Sequence, residues 1–359
     1  MHDAKWKSAL RRKLLKWFDE NQRDLPWRKN KTPYRIWVSE IMLQQTQVAT
    51  VIDYYNRFIK QFPNVKKLAA APESDVLKLW EGLGYYRRAR QMHAAANVVM
   101  DQHGGKFPTE FDQVIALPGI GRYTAGAILS ISSDQRTPIL EGNTIRLFAR
   151  LMTMKSDPRS TANQKALWDF SESLLPRKRC GDFNQALMEL GSEVCSPKQP
   201  KCLLCPIKNL CPTYVQGLQR EIPVAAKKMK YEDINEAVIV VQRNGKYLLR
   251  ECGPGERWAG LWDFPRYGLQ KNASHTQLTS MLKQQTGLTV KLRPSNKQIK
   301  HAVTRFRITL DCFVADDIQG RLKKSSTRLK WMTNQEINEA PMSITGRKIA
   351  KTLGRQPKA

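Results

Sequence analysis

Cys195, Cys202, Cys205 and Cys211 fall within 17 residues, spaced C-x6-C-x2-C-x5-C. This run constrains the chain more than any other, because four thiolates in so short a loop form a ligand set around one centre. Structural zinc usually takes two separated Cys-x-x-Cys knuckles. Here there is one such pair with a longer arm on each side. A compact wrap of that kind suits a [4Fe–4S] cluster, with zinc as the alternative. The chain has seven cysteines, and an odd number argues against a disulfide framework. Cys180, Cys252 and Cys312, outside the run, read as ordinary buried thiols.

The loop is basic through Lys198, Lys201 and Lys208, and the whole chain shares that bias. Its 359 residues carry 60 Lys+Arg against 32 Asp+Glu, a net charge of +28. Such an excess fits a polyanionic partner, nucleic acid first. A membrane surface is the competitor, but no apolar run is long enough to span a bilayer. The start, Met1-His2-Asp3-Ala4-Lys5-Trp6, has no apolar signal core. We therefore expect a soluble, cytoplasmic, nucleoid-associated protein whose partner is nucleic acid.

A second constraint is Leu117-Pro118-Gly119-Ile120-Gly121. The proline and glycines punctuate a tight turn between two helical patterns. Gly119 and Gly121 allow close approach of the backbone to something outside. The small, apolar stretch Tyr123–Ile131 follows as a buried helix, and its N-terminus offers free N–H groups to an anion, here a DNA phosphate. Glu141-Gly142-Asn143 then puts an acid at the next helix start.

Upstream, residues 6–20 place Trp6, Leu10, Leu14, Trp17 and Phe18 on one helical stripe. The basic residue Arg28 in the break that follows is a DNA-contact candidate. The next helix, about 34–48, is apolar, yet Glu40 sits in it; a carboxylate there is costly unless paired or protonated. Gly82-Leu83-Gly84-Tyr85-Tyr86-Arg87-Arg88 sets aromatics beside arginines, a mixture suited to stacking on bases and neutralising phosphates. Helices are expected at 87–101, 109–116, 143–152, 163–175 and 183–194.

Past the cysteines the pattern changes from helix to strand. A linker is expected at 217–233. Ala237–Val241 and Tyr247–Leu249 flank Asn244-Gly245, a hairpin signal. A helix is expected near 276–286, a strand with a basic face at 302–314, and a last helix from about 334.

As a set, the Glu40 helix, Leu83-Gly84-Tyr85, the Leu117–Gly121 hairpin and the four-cysteine loop resemble the adenine DNA glycosylase (MutY) branch of the helix-hairpin-helix base-excision superfamily. The resemblance covers nearly the whole chain. It implies a mostly α N-terminal part, residues 1–216, with a [4Fe–4S] loop at 195–211. It also implies an α+β Nudix-like C-terminal domain at 234–352 for mispair recognition, with a basic tail at 353–359. A Nudix hydrolase needs metal-binding acids ahead of Gly287, but Ser280–Gly287 contains none. That domain is expected to bind rather than hydrolyse.

The resemblance also assigns roles. Glu40 protonates the departing adenine, Glu141 stabilises the sugar cation, and Tyr123 and Asn143 assist. Gln45 and Tyr85 wedge into the opened duplex, and the base removed is adenine paired with 8-oxoguanine. Two carboxyls with different environments can divide such work. Tyr123 occupies the place where a lyase would carry a Schiff-base lysine, so a monofunctional enzyme is expected.

Two departures stand out. The family has Asp where this chain has Glu141. Its Phe-Ser-His 8-oxoguanine loop corresponds here to Val303-Thr304-Arg305, in which Thr304 can replace the serine hydroxyl while Arg305 changes the contact. They leave two competing expectations: a lesion-binding protein with weak or no catalysis, and a glycosylase with shifted substrate preference.

Overall fold

The computed structural model describes residues 3–225, 230–269, 274–324 and 328–353. Part of the expected linker, at 226–229, and the tail beyond residue 353 lie outside the described residues.

In chain order the helices of the first two thirds are α1 Ala4–Asn21, α2 Pro26–Lys29, α3 Pro33–Leu43, α4 Val48–Gln61, α5 Val65–Ala69, α6 Glu73–Trp80, α7 Arg87–His103, α8 Phe111–Ile115, α9 Arg122–Ser133, α10 Gly142–Leu151, α11 Thr161–Leu174, α12 Cys180–Glu193 and α13 Pro212–Val215. The strands follow as β1 Glu232–Arg243, β2 Lys246–Glu251, β3 Trp262–Asp263, β4 Arg266–Leu269, β5 Thr289–Val303, β6 Phe306–Gln319 and β7 Leu329–Met332. Helix α14 His275–Thr286 precedes β5, and α15 Asn334–Glu339 and α16 Ile344–Leu353 end the described chain.

Two compact units result: Met1–Ala70 with Gln91–Lys227, and Ala71–Arg90 with Lys228–Ala359. The first is helical. Its helices start where polar side chains satisfy free N–H groups: Asp3 accepts from the Trp6 N–H at 2.7 Å, Thr32 caps α3 just before Pro33, and Ser160 caps α11. Leu10, Leu14 and Phe18 of α1 are buried with Leu147 and Phe148 of α10 and Phe183, Leu187 and Leu190 of α12. Trp6 and Trp17 flank that core partly buried, so the α1 stripe faces inward as its period requires.

Helices α9 and α12 cross with backbones nearly touching. A Cβ on Gly181 would lie 2.3 Å from the Ser130 carbonyl oxygen, and one on Gly126 2.2 Å from the Pro138 carbonyl oxygen. Asn184, fully buried, locks the crossing by donating to Ser130 Oγ at 2.9 Å and the Thr137 carbonyl at 3.0 Å.

The second unit is a mixed sheet with helices. Strands run in the order β3-β2-β1-β6-β5, with β4 paired to β1 and β7 to β2. Pairing of β1 with β6 is parallel; β1 with β2 and β5 with β6 are antiparallel. Asn244 and Gly245 turn β1 into β2 at φ 50° and 72°, the left-handed pair that a two-residue hairpin favours. Side chains alternate across β1: Val238 and Val240 join Phe264, Leu310 and Met342 on one face, while Ala237, Ile239 and Val241 join Leu278 and Leu282 of α14 on the other.

Three expected elements differ in extent. The helix expected to reach 48 stops at Leu43, because the polar run Gln44–Gln47 supplies no apolar face, and Gln45 takes φ 57°. The single strand expected at 302–314 is the end of β5, a turn at Thr304 and Arg305, and the start of β6. Charged residues and the Pro294/Gln298 register shift conceal β5 in the sequence. The last helix is two, broken at Ala340-Pro341.

The α9–α12 crossing yields a prediction. Alanine is the better helix former by about 1 kcal/mol, yet Gly181→Ala should destabilise the protein by about 1–3 kcal/mol through backbone overlap. Thermal unfolding checks it. A melting temperature equal to or above wild type would show that the helices separate without cost.

Candidate active site

One cavity of about 440 Å³ in the helical unit collects all four candidate catalytic residues, a size within the range of small-molecule sites. Helices α3, α9, α10 and α12 supply its walls. Glu40, Tyr123, Glu141 and Asn143 line it together, with Gln45 and Arg28.

Glu40 is buried because α3 is packed on all sides: every residue from Ile36 to Met42 is buried. The Tyr123 hydroxyl, from the first turn of α9, donates to Glu40 Oε2 at 2.6 Å. That leaves Oε1 to hold a proton. Burial pushes the Glu40 pKa up to about 7; the Tyr123 bond opposes the rise and the charge of Glu141 adds to it. The Tyr123 hydroxyl is itself raised well above the usual phenol range, by burial and by both carboxylates.

Glu141 is the N-cap of α10. Its Oε2 accepts from the Asn143 N–H at 2.8 Å and from Asn143 Nδ2 at 3.2 Å, and its Oε1 accepts from the Thr144 N–H at 3.0 Å. The Glu141 N–H donates in return to Thr144 Oγ1 at 2.8 Å, closing a capping box. Burial raises the Glu141 pKa, while the two backbone N–H groups and Arg146 pull against that rise. The helix N-terminus also favours the anion. Both carboxylate oxygens are thereby held by the first turn of the helix that Glu141 caps.

Behind this acid, Arg146 Nη2 donates to Asn143 Oδ1 at 2.8 Å and to the Gly191 carbonyl at 2.6 Å, and its Nε donates to the Cys195 carbonyl at 2.7 Å. One turn on, Arg150 donates to Cys195 Sγ at 3.1 Å and to the Ser196 carbonyl at 2.9 Å. Helix α10 thus runs from the cavity to the cysteine loop. Cys195, Cys202, Cys205 and Cys211 all line one small hollow of about 30 Å³, and none forms a disulfide. Among the described residues, no group of three or more His, Cys, Asp or Glu is drawn together tightly enough to hold a single metal ion. Four free thiols around one hollow, with a guanidinium at one of them, form a donor set that suits a thiolate-bound centre.

The DNA-contact candidates fall into two groups. Gly119, at φ 78°, would bring a Cβ within 2.8 Å of Gln91 Cβ, so only glycine makes that turn. Gly121 is exposed, has open space around it and starts α9 with no side-chain cap. The hairpin therefore presents uncapped N–H groups outward, as a phosphate clamp requires. Gln45, Tyr85 and Thr304 are all exposed and all held at positive φ, 57°, 48° and 51°. Arg305 is exposed beside Thr304, 3.7 Å from Glu232.

Arg28 is placed differently. Its guanidinium donates to Gln185 Oε1, the Arg23 carbonyl and Glu189 Oε2, and its side chain is 11% exposed. It braces the cavity wall instead of reaching outward. Glu189, almost fully buried and held by Arg23 and Arg28, is a site residue that sequence reasoning missed. Burial opposes its charge, but the two guanidiniums win and lower its pKa. An acid amid the apolar residues of α12 was the available signal, the same one that marked Glu40.

The raised carboxyl has a consequence for stability. A folded-state pKa of about 7 for Glu40 lies above the ordinary glutamate value. The stability linked to its protonation is therefore full below about pH 4.5 and lost as pH rises through about 7. Glu40→Gln should raise the melting temperature at pH 8, by up to roughly 3 kcal/mol of stability, and give no gain at pH 4.5. Thermal melts at the two pH values check this, and an equal effect at both would remove the raised pKa.

Residues 38–173 match the HhH-GPD superfamily of base excision DNA repair proteins, and residues 236–352 match the NUDIX domain. An adenine DNA glycosylase of Rattus norvegicus is 34% identical over 400 residues, 95% of this chain and 77% of that protein. One of Buchnera aphidicola is 38% identical over 72% of this chain and 75% of its own length. A solved thermostable thymine-DNA glycosylase is 30% identical with a TM-score of 0.55, over 59% of this chain and 98% of that one. Endonuclease III in complex with DNA, 18% identical with a TM-score of 0.52, shares the fold over 61% of this chain and all of its own. With this identity over most of its length, a chain that buries a protonatable carboxyl beside a helix-bound anion belongs to the adenine DNA glycosylase family, DNA-binding enzymes of base excision repair.

Proposed function

We propose that this glycosylase removes adenine paired with 8-oxoguanine or guanine in double-stranded DNA, without lyase activity, as a monomer carrying a [4Fe–4S] cluster on Cys195, Cys202, Cys205 and Cys211. The observation that carries the reading is the difference between its two carboxyls in one cavity. Glu40 is raised to about 7 and can hold a proton, while Glu141 is fixed as an acceptor at a helix N-terminus.

The flipped adenine enters the cavity. The bond from C1′ to the base breaks, both electrons leave with adenine, and Glu40 gives its proton to the base. The positive charge left on the sugar meets Glu141, whose oxygens are already oriented by α10, so little reorganisation is needed. A water adds to C1′ and its surplus proton restores Glu40. No lysine lines this cavity among the described residues, which supports a mechanism without a Schiff base.

Strain supports the DNA contacts. Non-glycine residues at positive φ cost about 1–3 kcal/mol and cluster at functional sites. Gln45 and Tyr85, exposed and so strained, are suited to wedge into an opened duplex. Thr304, whose hydroxyl donates to the Val303 carbonyl at 2.7 Å, presents the hairpin turn that would read the oxidised guanine, with Arg305 adding a charge.

Single-turnover excision on duplexes with 8-oxoguanine:adenine, guanine:adenine and thymine:adenine pairs, developed with hot alkali, tests the reading. The first two should be cleaved and the third spared; equal cleavage of all three sinks the mispair specificity. Glu40→Gln should abolish excision but not mispair binding. The wild-type rate should fall about tenfold per pH unit above about 7 as Glu40 loses its proton, and fall in acid as Glu141 gains one. A flat profile would place the acid elsewhere. The cluster is checked separately: about four irons with matching sulfide per chain are expected, and stoichiometric zinc without sulfide would refute it.

A further inference from the structure

The turn that carries Tyr85 belongs to the same compact unit as the Nudix-like sheet, since residues 71–90 group with the C-terminal part of the chain. What ties it there is specific. Glu81, the residue after α6, receives a bidentate grip from Arg347 of α16: Nε to Oε1 at 2.6 Å and Nη2 to Oε2 at 2.9 Å. The Met342 N–H donates to the same Oε2 at 3.2 Å, and Lys78 lies 3.3 Å from it. Arg347 also donates to the carbonyls of Ile337 and Ala340, and Lys78 to that of Asn338. Side chains of Glu81 and Arg347 are only 15% and 14% exposed. Burial works against the charge of Glu81, yet Arg347 and Lys78 override it and lower its pKa.

The grip continues to the sheet on one side and to the wedge on the other. Next to Met342, the Pro341 carbonyl accepts from the Trp262 N–H of β3 at 2.8 Å. Arg90 donates to the Ala259 carbonyl, and Gly260 packs so closely on α6 that a Cβ would lie 3.0 Å from Leu77 Cδ1. From Glu81 the chain turns directly through Gly82 and Gly84, at φ 105° and 75°, into Tyr85 at φ 48°. Trp80 and Arg88 fasten that turn by donating to the Gly84 carbonyl.

We propose that Arg347 is a positioning residue for Tyr85: through Glu81 it fixes the wedge turn to the body that carries the Thr304 hairpin, so that mispair reading and wedge insertion occur as one event. The proposal rests on Tyr85 acting as a wedge. A bidentate guanidinium–carboxylate pair is directional, so it fixes where the strained turn points as well as holding it. Gln45, in the other unit, is outside this connection.

The test reads wedge insertion without chemistry. A duplex with 2-aminopurine next to the mispair brightens when the stack is opened, whether or not adenine is excised. In the full-length protein, Tyr85→Ala and Arg347→Met should each lower the enhancement about threefold or more. Arg347→Met should add nothing in the Tyr85→Ala background, but should add fully to Gln45→Ala. Arg347→Lys, which keeps one ionic contact, should restore part of the signal, and it serves where Arg347→Met does not fold. Wild-type enhancement in Arg347→Met, or full additivity with Tyr85→Ala, overturns the proposal. A wild-type protein that opens the stack but excises no adenine would sink the mispair chemistry and leave this coupling standing. A wild type whose signal ignores Tyr85→Ala would sink the wedge and the proposal with it.

Discussion

A carboxyl group removed from water is the interaction on which the helical unit depends. Glu40 can be kept only where α3 is enclosed on all sides, and enclosure raises its pKa to about 7. The same enclosure brings α9 close enough for Tyr123 to reach Oε2 at 2.6 Å. That approach depends in turn on α9 meeting α12 and the 138 backbone without side chains at Gly181 and Gly126. Glycines that look like weak helix residues are what lets α9 settle against α12 and the 138 backbone. Buried carboxyls are usually liabilities; here the cost to stability and the capacity to hold a proton near neutral pH have one origin.

Helix α10 ties the second carboxyl to the cysteine loop. Its first turn holds Glu141 and Asn143 through free N–H groups, and its later turns send Arg146 and Arg150 to Cys195 and the carbonyls after it. The loop has little regular structure of its own beyond two 3₁₀ turns. The carbonyls of Cys195, Ser196 and Pro197 accept from these two guanidiniums. Ile207, Leu210 and three of the cysteines pack against the core of the helical unit, and the four thiols share one hollow that suits the proposed cluster.

Much of this was legible in the sequence. The α1 stripe, the Asn244-Gly245 hairpin, the glycine hairpin before α9 and the acid amid apolar residues on α3 each follow from local pattern, and each is realised. Less legible were elements whose reason is tertiary. β5 carries three lysines, an arginine and a proline, and becomes a strand because β6 pairs along it. The position of Arg28 could not be read from Pro-Trp-Arg, because its partners Gln185 and Glu189 lie about 160 residues away. Glu189 carried the same local signal as Glu40, but its opposite fate comes from two arginines that only the fold delivers. Local pattern identifies a buried acid; its charge state is decided by neighbours distant in sequence.

The contrast between the two kinds of site residue follows from what each must do. Glu40, Tyr123 and Glu141, proposed for the chemistry, are held on helices by capping bonds and close packing, which suits work in which misplacement by an ångström can cost about 10²-fold in rate. Gln45, Tyr85 and Thr304, proposed to meet DNA, are set on turns with left-handed backbones. Such turns store strain that only surrounding contacts can sustain. At Tyr85 those contacts are the Gly84 carbonyl, held by Trp80 and Arg88, and the Glu81–Arg347 pair. A turn held at one end by an ion pair and at the other by the start of α7 has little freedom to relax. In the proposed wedge role, inserting its side chain into a base stack then demands distortion of the DNA more than of the protein.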